Sequence, residues 1–244
     1  MGELFESPAI ARLVEKQWKK WLLLTQQRPG PPTWGPFPTV TVSRERGSGG
    51  GIVARQVADR LQFVVFDSEI VDHVARAAAV DRIVIAHMDE QSQKSIKEWT
   101  ARVMHGRRFS DQSYMAHLTK TILTMGEKGH AVIIGRGAHL LLPAERCLRV
   151  RMIAPLPVRI DRLCSTGMTR AEAESLIAET DRQRTRFVEE HFHESDSNPL
   201  LYDLVINTGE IALETASDLI IRTLEARFPQ VLQARHAREH SSSE

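Results

Sequence analysis

Cysteine is nearly missing from this chain of 244 residues: Cys147 and Cys164 are the only two, both in apolar stretches without metal-ligand spacing. That excludes a disulfide framework and a thiolate metal site, and the pair reads as reduced core residues of a cytoplasmic protein. No run approaches the roughly 20 apolar residues that a membrane span needs, so no transmembrane segment is expected. Charge of one sign is lacking too. Lys and Arg total 32 against 31 Asp and Glu, a net charge of +1, which gives no field for steering nucleic acid or an anionic membrane surface. Met1 to Glu6 carries two acids and no basic region, so a secretory leader is not expected. What is present, at 42% hydrophobic residues, suffices for one α/β domain with extensions.

That domain is organised around Thr39 to Asp67. Thr39 to Val42 are β-branched throughout and suit a short strand. After Ser43, Arg44, Glu45 and Arg46 comes a turn of Gly47, Ser48, Gly49, Gly50 and Gly51, and then a helix whose apolar stripe includes Ile52, Val53, Val57 and Leu61. Glycines admit positive φ and leave no Cβ in the way of a ligand, so consecutive N–H groups can converge on one anion beside the positive helix end. Strand, glycine turn and helix in this order make a phosphate cradle over Gly47 to Ile52; the alternative is a tight turn that needs glycine for sterics alone.

The turn lacks the lysine and hydroxyl of the pattern GxxxxGK[ST], which bind the outer phosphates and magnesium; Gly50, Gly51 and Ile52 follow Gly49 instead. Positive charge for a triphosphate must then come from arginine, with Arg44 and Arg46 nearest and Arg55 one turn into the helix, since guanidinium groups grip phosphate in bidentate fashion.

Further along, residues 8–27 predict an amphipathic helix with Trp18, Trp21 and Leu22 on its apolar face and Lys16, Lys19 and Lys20 among the polar positions. Packing on its own domain, a second subunit or another partner, or a membrane-surface role are all open. Five prolines between Arg28 and Pro38 form a stiff linker, so residues 1–38 are set apart from a domain over 39–228, with a flexible tail over 229–244. Asp67 falls at the carboxyl end of the second strand, where open α/β sheets place ligand-binding groups, or else it assists a helix cap at Ser68. Asp81 to Arg108 reads as helical excursions, and Ser110 to Lys128 as a helix stopped by Gly129.

Ala131 to Ile134 fits a central parallel strand, which puts Arg136, between two glycines, at a strand's carboxyl end. It either meets a phosphate or pairs with a carboxylate. Cys147 to Ala154 is a strand whose Arg149 and Arg151, at period two, suggest an incompletely buried face. Thr169 with Glu172 has capping-box spacing and opens a long helix ending near Glu190. Asp181 and Arg184, three apart, can pair, and the charged helix end leads to the loop His191 to Pro199, a solvated surface or a mobile cover. The alternating His191 and His193 are weak evidence for a metal. Leu204 to Ile206 and Ile211 to Phe228 supply a last strand and helix.

The succession TVSRERGSGG, FDSEIV, MDEQ, HAVIIGRGAHLLL, LRVRMIAPLPVRIDRL, TDRQRTRF and YDLVINTG resembles the cytidylate kinase-like family over about residues 39–228. The resemblance implies an α/β fold of P-loop type, a parallel sheet flanked by helices, with a nucleotide-monophosphate-binding region and a lid. It implies transfer of the γ-phosphoryl of ATP, with magnesium, to a nucleotide substrate such as CMP or dCMP. On it, Gly47 to Gly50 match the phosphate loop, Arg136 the arginine of the acceptor phosphate, and Asp181 with Arg184 the D-x-x-R of the lid, where they hold the acceptor. Two departures stand out: Gly51 where a basic residue commonly follows the glycines, and Gly137 where an aspartate helps to read cytosine. Arg44, Arg136 and Arg184, the last with Arg182 or Arg186, would carry the transfer, and Ser48 and Asp67 are the nearest oxygens to a magnesium ion borne mainly by nucleotide and water. A catalytically weakened nucleotide-binding regulator or scaffold is the alternative.

Overall fold

The computed structural model describes residues 8–26, 37–76, 90–105, 111–231 and 233. Their elements run α1 (Pro8–Gln26), β1 (Thr39–Arg44), α2 (Gly50–Leu61), β2 (Val64–Phe66), α3 (Ser68–Arg76), α4 (Glu90–Met104), α5 (Gln112–Lys128), β3 (Ala131–Ile134), α6 (Ala138–Leu141), β4 (Cys147–Ile153), α7 (Leu156–Cys164), α8 (Arg170–Phe192), β5 (Leu204–Asn207) and α9 (Leu213–Arg227). The prolines from Pro29 to Pro36, the Met88–Asp89 part of MDEQ and most of the expected tail lie outside the described residues.

All strand pairs are parallel, in the order β2-β3-β1-β4-β5. The β-branched and aliphatic central strands β1 and β3 are buried on both faces, as a sheet covered by crossover helices requires, while edge strand β5 leaves Val205 exposed. Alternation divides them: Val40, Val42, Val132 and Ile134 face α2 and α9, while Ala131 and Ile133 face α3 and α5. After β3 the chain leaves one side of β1 and resumes on the other with β4. The carboxyl end of β1 is therefore the switch point at which open parallel sheets bind ligands.

The N-terminal helix packs against its own domain. Trp18 and Trp21 are buried, with ring centroids 5.8 and 5.6 Å from that of Phe66 on edge strand β2, and the Trp21 indole donates to the Gly129 carbonyl at 2.8 Å. Lys16, Lys19 and Lys20 face outward. At the other end Val231, expected in the tail, is buried in the core.

Local signals correct some boundaries. Asp67, not Ser68, caps α3, its carboxylate accepting the Ile70 amide at 3.1 Å. Asp111 caps α5 through the Tyr114 amide. The Thr169–Glu172 capping box is formed, and α8 runs on to Phe192, past the expected stop near Glu190, because Val188 and Phe192 are buried. On β4 the two arginines differ. Arg149 is held by Asp203, whereas Arg151 is buried among Asp196, Tyr202 and Ser43, so that part of the face is closed by an ion pair where the alternation suggested exposure.

Candidate functional site

The loop between β1 and α2 forms the wall of a cavity of about 430 Å³, open at the carboxyl end of β1. Gly47 and Gly49 take φ of +83° and +80°, which a side chain would strain. Gly49 is the N-cap of α2 and has no Cβ or side-chain cap, so the first helical N–H groups stay open. Among the described residues, the amides of Gly49, Gly50 and Gly51 have no hydrogen-bond acceptor, while that of Ile52 turns back to Gly49 at 2.9 Å. Three unfilled donors at a helix N-terminus form an anion cradle. Ile52, expected among the phosphate-binding residues, thus has its amide spent inside the loop. Ser48 is buried, and its hydroxyl donates to the Glu45 carbonyl at 2.9 Å, away from the cavity.

The loop is held by residues distant in sequence. The Asp181 carboxylate on α8 accepts the Arg46 amide at 2.7 Å and pairs with Arg159 on α7. Arg162 donates to Thr208 and to the Gly47 carbonyl, and Thr208 in turn to the Ser48 carbonyl at 2.7 Å. The resemblance assigned Asp181 to an acceptor nucleotide; one of its oxygens is engaged with the loop at Arg46 and the other with Arg159 on α7. Its expected partner Arg184 stands 3.7 Å away and donates to the Arg44 carbonyl at 3.0 Å.

Arg44, Arg46, Arg55, Arg162 and Arg184 all line the cavity, against Glu45, Asp67 and Glu69. Arg44 makes no ion pair among the described residues. Burial, then the charges of Arg184 and Arg136, push its guanidinium down to about 9; burial first, and later Arg46 and Arg136, push Arg184 down to about 10 despite the opposing pull of Asp181. Both remain charged at neutral pH, crowded by like charge and short of anions. Arg182 and Arg186, offered as helpers to Arg184, are exposed and pair with Glu179 and Glu190 on the outer side of α8.

A smaller cavity of about 50 Å³ adjoins the cradle, lined by Arg44, Arg136, His139, Arg184, Phe187 and Asp196 among others. Arg136 lies in an unusual turn at the end of β3, where Gly135, Arg136 and Gly137 have φ of +81°, +55° and +64°. A left-handed arginine carries local strain that the surroundings must hold. Asp72 does so: its carboxylate, buried in α3, accepts Arg136 Nε and Nη2 at 2.7 and 2.6 Å and the Tyr114 hydroxyl at 2.7 Å. Burial alone would lower the Arg136 pKa, and the hydrogen bonds and charge of Asp72 outweigh it to a net rise. Asp72 was missed by sequence reading, although a carboxylate on the apolar stripe Ile70, Val71, Val74, Ala75 signals a buried partner. The flanking glycines make room for protein atoms: a Cβ on Gly137 would lie 2.3 Å from the Phe192 ring, and one on Gly135 would lie 2.5 Å from Arg44 Nη1. His139 is buried with Nε2 unpartnered, stacked 4.8 Å from Tyr202, and burial with the nearby Arg151 and Arg149 charges pushes it down to about 3, so it is neutral.

For a divalent cation the cavity offers Asp67 and Glu69, with no cluster of metal-ligating side chains among the described residues. That set fits a magnesium ion coordinated mostly by phosphate and water. No described helix is long and apolar enough to cross a membrane.

A parallel α/β sheet flanked by helices, with a glycine turn and a surplus of arginine at its switch strand, defines a fold of P-loop type. The model of the cytidylate kinase-like family matches residues 39–210, and the chain belongs to that family. Its fold is similar to an uncharacterized protein from Eubacterium ventriosum, at TM-score 0.59 and 19% identity over 77% of this chain and 98% of that one. A shikimate kinase from Bacteroides thetaiotaomicron aligns at TM-score 0.42 and 14% identity, covering 77% of this chain and 98% of that one. A uronate isomerase of Corynebacterium glutamicum is 32% identical over 112 residues, 46% of this chain and 22% of that protein. The chain thus spans about a fifth of the curated relative that it matches.

Proposed function

We propose that this protein is a kinase that moves the γ-phosphoryl of ATP to a nucleoside monophosphate of the CMP or dCMP kind. The observation that carries the reading is the combination, in one cavity, of three acceptor-less glycine amides with Arg44, which has no ion pair among the described residues, and Arg184, whose carboxylate partner Asp181 is shared with Arg46 and Arg159. The amides of Gly49, Gly50 and Gly51 hold donor phosphates, and the Gly47–Ser48 bend keeps those amides aligned. Arg44 and Arg184 neutralise the charge of the transferring group, and Arg136, fixed by Asp72, turns its remaining N–H groups to the acceptor phosphate. Asp181 acts on the acceptor only indirectly, by fixing the loop. Asp67 would help to hold a magnesium ion borne mainly by the phosphates and water, which would screen the triphosphate charge.

Phosphoryl transfer of this kind depends on position and charge neutralisation. An acceptor phosphate oxygen forms its bond to the γ-phosphorus while the bond to the β,γ-bridging oxygen of ADP breaks. That acceptor oxygen is already an anion near neutral pH, so no general base is required. The missing lysine favours a second reading, a regulator that binds nucleotide without turnover.

The test measures ADP formation from ATP and magnesium with CMP, dCMP, UMP, AMP and GMP in turn, alongside thermal-shift titration with each nucleotide. Acceptor-dependent ADP that is lost in Arg136→Ala is expected. Stabilisation by ATP without turnover would support the regulator, and no stabilisation by any nucleotide would overturn both.

A further inference from the structure

The pattern GxxxxGK, laid on the loop with its second glycine at Gly49, puts its first glycine on Arg44 and its lysine on Gly50. The chain thus has a large cation where the pattern has no side chain, and no side chain where the pattern has a cation. These two positions touch. A Cβ on Gly50 would lie 2.7 Å from the Arg44 Cβ and 3.1 Å from that of Met152, so a lysine cannot be built at position 50 while Arg44 is in place. The far end of the same arginine fills the space beside Gly135, where a Cβ would lie 2.5 Å from Arg44 Nη1. Arg44 therefore runs through a slot between two glycines that are 85 residues apart in the chain (135 − 50).

Its position at the end of that slot is specific. Arg44 lines both the phosphate cradle and the smaller cavity beside Arg136, a property that among the described residues it shares with Arg184 and Ser68. A phosphoryl group passing from a donor in the first cavity to an acceptor in the second crosses in front of Arg44. Among the described residues no carboxylate occupies its guanidinium.

We infer that Arg44 and Gly50 are a reciprocal exchange: the strand-borne arginine has taken over the catalytic charge of the loop lysine, and Gly50 and Gly135 are glycines because that arginine needs their space. The inference rests on the kinase reading and says which side chain meets the transferring group. It also says that the missing lysine marks a relocated charge.

The experiment compares wild type, Arg44→Gly, Gly50→Lys, the double variant R44G/G50K and Gly50→Ala. Each is assayed for acceptor-dependent ADP formation and for binding of a nonhydrolysable ATP analogue, with thermal unfolding run in parallel. Arg44→Gly should lower kcat by about a hundredfold or more, as removal of a charge-stabilising group does. Gly50→Lys alone should lose activity by a similar factor and unfold at lower temperature, and the double variant should recover at least about tenfold over Arg44→Gly. Gly50→Ala brings the same Cβ without a charge, so it should lose activity and not regain it when Arg44 is also replaced by Gly. Wild-type activity in Gly50→Lys, or a folded double variant no better than Arg44→Gly, would overturn the exchange. If wild type binds the analogue without turning over any monophosphate, the kinase reading fails separately, and the exchange is judged on analogue affinity: a loss in Arg44→Gly with recovery in the double variant supports it, and unchanged affinity in Arg44→Gly overturns it.

Discussion

Asp181 and Arg46 lie 135 residues apart, and the carboxylate of one accepts the backbone amide of the other at 2.7 Å. A helix on one side of the site thereby holds the shape of the phosphate loop on the other. The first prediction follows from that bond. Asp181→Ala leaves the Arg46 amide without its acceptor and takes one of two carboxylate partners from Arg159, and hydrogen bonds to charged groups are worth about 1.5–3 kcal/mol. The affinity for ATP should fall roughly tenfold to a hundredfold, measured by calorimetric titration, while Asp181→Asn, which keeps an acceptor oxygen for the amide, should lose less.

A second prediction concerns Asp72. Its carboxylate compensates both the buried Arg136 and the Tyr114 hydroxyl, so Asp72→Ala strands a buried cation and should destabilise the fold by about 3–5 kcal/mol in denaturant titration. Tyr114→Phe removes one bond and no charge, and should cost about 1 kcal/mol.

The N-terminal helix gives a third. Trp21 is fully buried against Phe66 and Trp18 and donates to the Gly129 carbonyl. Trp21→Ala should lower unfolding stability by about 3–5 kcal/mol, whereas Lys19→Ala, on the exposed face, should change it by no more than about 0.5 kcal/mol. Equal effects from the two would show that α1 does not pack on the sheet.

Solution pH should act through Arg44 and Arg184. Both have pKa values below the usual guanidinium range, about 9 and 10, and a bound polyanion raises them. Below about 9 both are charged with or without ligand, so triphosphate affinity should not change between pH 7.5 and roughly 8.5. Above about 9 binding must take up one proton and above about 10 a second, so affinity should weaken by up to about tenfold per pH unit at first and more steeply beyond pH 10. Equilibrium titration of a nonhydrolysable analogue from pH 7.5 to 10.5 checks the sign, and affinity that strengthens with rising pH would contradict it.

The strands and the glycine loop were legible because their signals are local. Thr39 to Val42 and Ala131 to Ile134 are apolar runs of strand length, and Thr169 to Glu172 carries its cap within four residues. Arg44, Arg136 and Arg184 could be picked out by type and position, but not their partners. Asp72 meets Arg136 across 64 residues, and Arg44 occupies space left by Gly50 and Gly135. Glycine is an ambiguous signal in particular: at Gly135 and Gly137 it makes room for the protein's own Arg44 and Phe192, and only the packed structure tells that from room for a ligand.

The central claim is phosphoryl transfer between two nucleotides, and phosphorus NMR of the protein with ATP, magnesium and CMP observes it directly. The account predicts that the γ-phosphate resonance of ATP declines as the resonances of ADP and of a second nucleoside diphosphate grow together, with no inorganic phosphate released. Spectra in which ATP persists beside every monophosphate tried, or in which its γ-phosphate appears only as inorganic phosphate, would contradict it.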